Sequence, residues 1–222
     1  MKISCSYQIK EKFTNEILKW YKKNKTTYPW RNNPTPYRVL ITEMLLRKTT
    51  RNQVALLFPS FFRRFPSLNL LAKARRKEIE EIITPLGMEK IRSRLLREVS
   101  KIIIKEYKGR IPKSREVLLA LPGVGDYTAD AVMLLARNER VPLVDTNSKR
   151  IVERVFTGNS NSERIGKPLH DFVEYLLPQK KYVEFNLALL DFANTVCLAR
   201  NPKCKFCPVK GICNYYKSHV YK

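Results

Sequence analysis

The sequence contains no long apolar segment. None of its runs approaches the roughly 18–20 apolar residues that a membrane-spanning helix needs. The residues from Met1 to Gln8 also lack the apolar core of a signal peptide. Both absences predict an intracellular protein with no membrane partner. In such a compartment the five cysteines would not form a disulfide framework, especially as four of them fall within the last 26 residues.

Acidic residues are scarce relative to basic ones. The 222 residues include 20 Asp and Glu against 43 Lys and Arg, which gives a formal net charge of +23. Solubility requires far less charge than this. A basic excess of this size binds polyanions through counterion release. Nucleic acid is therefore the first candidate partner. Charge alone would make an anionic membrane surface the second, but the absence of a long apolar segment and of a signal peptide does not favour it.

The sequence also lacks the alternating pattern of a β-strand, a low-complexity linker and an internal repeat. Apolar residues recur instead at helical spacing, which predicts a compact all-α protein of many short helices. The expected helices span about 8–24, 36–48, 51–64, 67–74, 76–84, 89–107, 114–120, 126–137, 145–157, 163–177 and 182–197.

Two apolar clusters are expected in the core. The first helix carries one of them, formed by Ile9, Phe13, Ile17, Trp20 and Tyr21. The other consists of Phe61, Phe62 and Phe65. Aromatic residues at helical spacing usually belong to a core, so the alternative of a base-stacking platform is less favoured.

A glycine hairpin lies between two of the expected helices. Its sequence is Leu121-Pro122-Gly123-Val124-Gly125, and the next helix begins at about Asp126. The two glycines leave backbone N–H groups unobstructed beside the positive end of that helix. This arrangement suits a phosphate, although a glycine hairpin is also a common turn.

Asp145 stands at the start of a later helix, after an apolar run and before Thr146-Asn147-Ser148-Lys149-Arg150. The simplest interpretation is a helix N-cap, for which aspartate is favoured irrespective of any chemistry. The functional interpretation uses the same geometry. A carboxylate held beside a phosphate-binding hairpin could stabilise a cationic sugar or activate a water molecule.

Glu43 is the second carboxylate of interest, because it lies on an otherwise apolar helix. That position favours burial and a raised pKa, which are the conditions for a general acid. The alternative is an ion pair with Arg47 one turn further on.

The C-terminal cysteines have the spacing C-x6-C-x2-C-x5-C, formed by Cys197, Cys204, Cys207 and Cys213. Four thiolates within 17 residues can enclose one metal centre, either zinc or a [4Fe–4S] cluster. The unequal loops favour the cluster, since zinc ribbons usually present two C-x2-C pairs. Cys5 stands apart and is expected to be a buried or idle thiol.

In this order and spacing, the hairpin, the segment Val144–Asn147 and the cysteine tail resemble the helix-hairpin-helix DNA glycosylases with an iron–sulfur cluster. This superfamily includes endonuclease III and the adenine glycosylase MutY, and the likeness covers nearly the whole chain. The segments that resemble the MutY-like branch are Tyr28-Pro29-Trp30-Arg31, Pro36-Tyr37, Ile41-Thr42-Glu43 and 185–192.

The resemblance implies two helical lobes with double-stranded DNA in the cleft between them, in a protein that acts as a monomer. One lobe would be a helical barrel over 30–133 that includes the hairpin. The other would join 1–29 to 134–222 and hold a [4Fe–4S] cluster on the four cysteines at 197–213.

The resemblance also implies a role for individual residues. Asp145 matches the catalytic aspartate, and Tyr127 and Glu43 would line the base pocket. The backbone of Gly123, Val124 and Gly125 would bind DNA phosphate, with a monovalent cation at the hairpin. Arg47 would fill the hole left by an extruded base, and Lys149 would be a further DNA contact.

Tyr127 occupies the position at which strand-cutting members carry a lysine that forms a Schiff base. No lysine occurs from Ser114 to Ser148, so we expect a monofunctional enzyme in which water attacks and an abasic site remains.

Two further departures bear on the base that is removed. Leu46-Arg47-Lys48-Thr49-Thr50 replaces the glutamine-rich stretch of adenine glycosylases. The chain also ends soon after the cysteines, with no room for the domain that recognises 8-oxoguanine. Both departures favour thymine or uracil mispaired with guanine, as removed by the mismatch glycosylases of this branch.

Adenine opposite 8-oxoguanine or guanine is the alternative, because Glu43 matches the acid that protonates adenine. Further alternatives are a bifunctional lyase of the endonuclease III type and a non-enzymatic iron–sulfur DNA-binding protein.

Overall fold

A computed structural model describes residues 5–158 and 167–220, which are helical throughout their regular structure and contain no β-strand. The prediction of an all-α protein is therefore confirmed. The α-helices are α1 Tyr7–Asn24, α2 Pro36–Leu46, α3 Arg51–Arg64, α4 Leu68–Lys73, α5 Arg76–Ile83, α6 Glu89–Tyr107, α7 Arg115–Leu119, α8 Asp126–Ala131, α9 Thr146–Val152, α10 Lys167–Leu176, α11 Tyr182–Thr195 and α12 Asn214–His219. Short 3-10 turns lie at Pro29–Arg31, Thr84–Leu86, Cys204–Phe206 and Lys210–Ile212.

Local signals explain where most of these helices begin. Ser6, Thr35, Thr50, Ser67 and Ser114 each accept a hydrogen bond from a first-turn backbone N–H group. Such caps satisfy amide groups that have no partner inside the helix.

The predicted helices over 126–137 and 145–157 keep close to their predicted ends, but Val132–Ala136 and Glu153–Thr157 are π-helix. Other boundaries differ from the prediction. The predicted helix over 36–48 ends at Leu46. The start of the predicted helix over 163–177 lies outside the described residues, and α12 was not predicted.

The chain divides into two compact units, one of Thr27–Glu139 and one that combines Met1–Thr26 with Arg140–Lys222. The lobes expected from the sequence span 30–133 and 1–29 plus 134–222. These domains and the DNA cleft stay predictions. Each unit has a core of its own.

In the unit of Thr27–Glu139, aromatic residues of α3 build much of the core. Phe61 and Phe65 are fully buried and their ring centroids lie 5.2 Å apart in an edge-to-face arrangement. Phe62 is also buried, so the prediction that this cluster belongs to the core is confirmed. Helices α4 and α5 pack on α6, and α2 packs on α8.

The other unit is organised around the contact of α1 with α11. Phe13 of α1 meets Phe185 of α11 and Phe156 edge to face. Ile9 was expected on this apolar side, but its side chain is exposed at 39%. It lies in the first turn of α1.

Candidate active site

Asp145 is the N-cap of α9, as the simplest interpretation of the sequence predicted. Its Oδ1 atom accepts hydrogen bonds from the backbone N–H groups of Asn147, at 3.0 Å, and Ser148, at 2.8 Å. In the opposite direction, the Asp145 N–H group donates a hydrogen bond to the Ser148 hydroxyl at 2.9 Å. This reciprocal capping box fixes the rotamer of the aspartate.

The second oxygen of the carboxylate is also oriented. Asn147 Nδ2 donates to Asp145 Oδ2 at 2.7 Å. An ionised carboxylate offers about four acceptor positions, so within the described part of the chain one lone pair on Oδ2 is left for another partner. The N-cap interpretation and the catalytic interpretation are therefore compatible, because capping uses Oδ1 and leaves Oδ2 partly available.

Arg150 connects this carboxylate to the loop that carries the first cysteine. Its Nη1 donates to Asn147 Oδ1 at 3.1 Å, and its Nε donates to the carbonyl of Cys197 at 3.0 Å. A third bond runs from Nη2 to the carbonyl of Ala193 at 3.0 Å. The sequence analysis gave no role to Asn147 or Arg150, although their position in the first turns of α9, directly after Asp145, could have suggested one.

Lys149 has a different environment from the one expected of a phosphate contact. Its ammonium lies 3.0 Å from Glu153 Oε2, and its side chain is only 12% exposed. An ion pair of this kind competes with a phosphate for the lysine charge. The DNA-contact role of Lys149 stays a prediction, and this geometry does not favour it.

The glycine hairpin lies in the unit of Thr27–Glu139. Gly123 has φ +79°, and a Cβ atom added there would lie 3.1 Å from Met44 Cε. The backbone conformation therefore favours glycine, and a side chain at this position would also displace the end of Met44 by a few tenths of an ångström. Gly125 is the N-cap of α8 with extended backbone, and a Cβ atom added there would have no neighbour within 4 Å. Phosphate and cation binding by this hairpin stay predictions.

Glu43 and Arg47 belong to the same unit. Glu43 is buried on α2 with 7% of its surface exposed. Arg47 follows the end of that helix, and its Nη1 donates to the carbonyl of Gly123 at 3.1 Å. The alternative that Glu43 forms an ion pair with Arg47 stays open. Tyr127 is half-buried in the first turn of α8.

The four C-terminal cysteines line one pocket, whose volume is about 360 Å³ when the part open to solvent is counted. No group of three ligand-type side chains in the described ranges converges as a site for a single ion. A tetrahedral zinc ion with Zn–S bonds of about 2.3 Å would hold its thiolates close together. A [4Fe–4S] cluster also takes four thiolates, so the donor set suits either centre, and the unequal spacing of the four cysteines along the chain favours the cluster.

The protonation chemistry of these thiols also fits a cationic centre. Burial raises the pKa of Cys207 to about 12, and it raises the pKa of Cys204 and Cys213 as well. Thiolates grouped in this pocket therefore need a bound positive centre to stabilise them.

Arg154 is a buried cation at the edge of the pocket. Its Nη1 donates to the carbonyl of Leu198 at 2.6 Å and lies 3.6 Å from Cys197 Sγ. Its Nη2 donates to the carbonyl of Ala199 at 2.9 Å. The cations on the cysteine loops themselves are exposed, and they are Arg200, Lys203, Lys205 and Lys210.

None of the helices in the described ranges has the length and apolar character that a membrane span requires.

Residues 41–172 match the family described as HhH-GPD superfamily base excision DNA repair protein. A thymine/uracil-DNA glycosylase of Pyrobaculum aerophilum is 42% identical over 212 residues, which cover 93% of this chain and 92% of that protein. An adenine DNA glycosylase of Mycobacterium tuberculosis is 35% identical over 196 residues, covering 87% of this chain and 64% of that protein. The solved structure of a thermostable thymine-DNA glycosylase is similar with a TM-score of 0.90 at 36% identity, over 95% of this chain and 97% of that one.

Proposed function

Because this chain belongs to the HhH-GPD superfamily of base excision DNA repair proteins, we propose that it is a monofunctional DNA glycosylase. Its substrate would be double-stranded DNA with thymine or uracil mispaired with guanine. It would hydrolyse the N-glycosidic bond of that base and leave an abasic site. Support comes from the 42% identity to a protein named thymine/uracil-DNA glycosylase and from the basic charge of +23.

The orientation of the Asp145 carboxylate is the observation that carries this proposal. Two backbone donors fix Oδ1, and Asn147 fixes the position of Oδ2. Oriented negative charge of this kind is what a sugar needs as it becomes oxocarbenium-like.

The proposed reaction begins when the mispaired nucleotide leaves the base stack, at the lowest cost where pairing is already defective. The bond between C1′ and the base nitrogen then breaks, and its electron pair leaves with the base. Asp145 stabilises the positive sugar and aligns a water molecule. The water oxygen bonds to C1′ and releases a proton, while the departing base acquires one.

Tyr127 supports a monofunctional reaction. A phenol cannot form the Schiff base that strand cleavage through an amine requires. The absence of lysine from Ser114 to Ser148 removes the nearest alternatives in the sequence. Tyr127 and Glu43 would then contact the extruded base.

Cys197, Cys204, Cys207 and Cys213 would hold a [4Fe–4S] cluster. Such a cluster, when bound, would cross-link the C-terminal loops by four iron–thiolate bonds. Arg150 and Arg154 bind carbonyl groups of the same loops, so the chain adds its own support. The exposed cations Arg200, Lys203, Lys205 and Lys210 would contact DNA phosphates, and a monovalent cation would bind at the hairpin.

Adenine is the alternative substrate base. The buried position of Glu43 favours it, because burial is a condition for a carboxyl group that donates a proton to a leaving base. The relative named adenine DNA glycosylase also supports it.

The test is a panel of duplexes that contain G·T, G·U, A·8-oxoguanine or thymine glycol, each incubated with the enzyme and divided into samples with and without alkali. We expect cleavage of G·T and G·U only after alkali. Cleavage of A·8-oxoguanine instead would support the adenine alternative. Strand breakage without alkali, with a covalent adduct trapped by borohydride, would contradict the monofunctional reaction.

Asp145→Asn is the matched variant for the same panel. It keeps the size of the side chain and loses the negative charge, so the rate at G·U should fall by at least about 100-fold. An undiminished rate would remove Asp145 from the mechanism.

A further inference from the structure

Arg92 is a buried cation that binds two separate turns of the unit Thr27–Glu139. Its side chain is 6% exposed and lies at the end of the first turn of α6. Its Nη1 donates to the carbonyls of Met44, at 3.2 Å, and Leu45, at 2.9 Å. Its Nη2 donates to the carbonyl of Arg47, and its Nε donates to the carbonyl of Gly87 at 2.9 Å.

The acceptors at the end of α2 explain how a cation is stable here. Met44 and Leu45 belong to the last turn of α2, whose carbonyls have no partner further along the helix. The C-terminus of a helix also carries partial negative charge, which attracts a cation. Arg92 therefore satisfies these carbonyls and ends α2 at a fixed place.

Both of the turns that Arg92 binds contain backbone in the left-handed region. Lys48, just after Arg47, has φ +53°, and Met88, just after Gly87, has φ +54°. Residues other than glycine persist in this conformation only when the surrounding contacts hold them. The fork of the Arg92 guanidinium supplies such contacts to both turns at once.

Arg47 extends the connection from the first turn to the glycine hairpin. Its backbone carbonyl is held by Arg92, and its own guanidinium donates to the carbonyl of Gly123 at 3.1 Å. Gly123 packs against Met44, another partner of Arg92, and against Leu95. The two turns border a pocket of about 520 Å³, counting its open part, whose lining includes Arg47, Lys48 and Met88.

We propose that Arg92 is a positioning residue for DNA binding and base removal, acting through the backbone of Arg47. It holds the α2–α3 turn so that the Arg47 guanidinium lies against the hairpin, where both can meet the DNA. This inference rests on the proposed function and deepens it. Lysine cannot replace Arg92, because one ammonium cannot reach the carbonyls of Leu45, Arg47 and Gly87 together.

The test is a double-mutant cycle with Arg92→Lys, Arg47→Ala and the variant that combines them. The rate at a G·U duplex under single turnover and the affinity for that duplex are measured for each protein. When Arg47 is present, we expect Arg92→Lys to lower the rate roughly tenfold, because the Arg47 guanidinium would no longer be held in its position. In the Arg47→Ala background the further loss should be less than about twofold, since residues that act together are not additive.

Leu71→Ala in α4 is the control for a general loss of stability, because Leu71 is fully buried and is not a partner of Arg92. Its effect should be the same with and without Arg47. An equal loss from Arg92→Lys in both backgrounds, or no loss in either, would overturn the proposal. If Arg92→Lys does not fold, Arg92→Gln replaces it in the same cycle.

The result that would overturn the proposed glycosylase function differs from the result that would overturn the role of Arg92. A wild-type protein that releases no base from any duplex of the panel would overturn the glycosylase proposal. The coupling between Arg92 and Arg47 would still be measured from duplex affinity, and additive losses of affinity would overturn the role of Arg92.

Discussion

Asn147 donates a hydrogen bond of 2.7 Å from its side-chain Nδ2 to Asp145 Oδ2, the oxygen that the N-cap leaves for other partners. The backbone of the same asparagine donates to Oδ1 at 3.0 Å. One residue therefore binds both oxygens of the carboxylate. It fixes the plane of the carboxylate as well as its position.

Asn147→Ala should lower the rate of base release by roughly 10- to 100-fold, because it removes the donor that orients Oδ2 while the backbone donors to Oδ1 stay. Single-turnover rates at a G·U duplex are the measurement. Asn194→Ala is the control, since that side chain donates to the carbonyl of Leu190 in the same unit. Equal rates for wild type and Asn147→Ala would show that capping alone orients Asp145.

The purified protein should contain about four irons per chain and no stoichiometric zinc, because four cysteines with unequal spacing line one pocket and such a donor set favours a [4Fe–4S] cluster. Metal analysis together with the visible absorption spectrum measures this. Cys213→Ser should lose iron and melt at a lower temperature, whereas Cys5→Ser should keep its iron. About one zinc per chain without iron would contradict the cluster assignment.

Gly123→Ala should destabilise the protein by about 1–3 kcal/mol, because alanine would be strained at φ +79° and its Cβ would crowd Met44. Gly125→Ala is the matched control two residues away, where the backbone is extended and the space is open. Its free energy of unfolding should change by less than about 1 kcal/mol. Urea unfolding measures the free energy of unfolding of both variants. Equal losses of stability would contradict the left-handed backbone of Gly123.

Tyr37 should make the stability depend on alkaline pH. Its hydroxyl donates to the carbonyl of Phe65 at 2.6 Å, and burial raises the pKa of Tyr37 well above its ordinary value. The contribution to stability is fully present below the unfolded pKa of about 10. It is lost as the pH rises above that value, because the unfolded chain then binds fewer protons than the folded one.

Tyr37→Phe should therefore be less stable than wild type at pH 8 by about 1 kcal/mol, for the lost hydrogen bond. The difference should shrink between pH 10 and pH 11, roughly, as wild type loses stability faster. Tyr7→Phe, at an exposed position, is the control. Stability curves that stay parallel for wild type and Tyr37→Phe across this range would contradict the prediction.

The features that could be predicted from the sequence are mostly local. Helical periodicity predicted the helices, and an aspartate before a helix predicted the cap at Asp145. The phenylalanine cluster in α3 was also recognisable from its spacing. Each of these depends on neighbours within one or two turns of the chain.

The features that the sequence did not reveal depend on distant partners. Arg92, Arg150 and Arg154 look like ordinary surface cations in a basic chain, yet their guanidinium groups bind backbone carbonyls that lie far away in sequence. Carbonyl groups have no sequence signature. The ion pair of Lys149 with Glu153 was not foreseen either, and the role of Lys149 as a DNA contact stays a prediction.

Arg150 and Arg154 hold the first cysteine loop through the carbonyls of Cys197, Leu198 and Ala199. Every peptide unit offers such an oxygen, whatever side chain it carries. The identities of residues 198 and 199 can therefore drift over evolutionary time while the contacts that Arg154 makes to this loop persist. Inserting or deleting a residue there would instead move the oxygens out of reach, so the length of this loop is the constrained property.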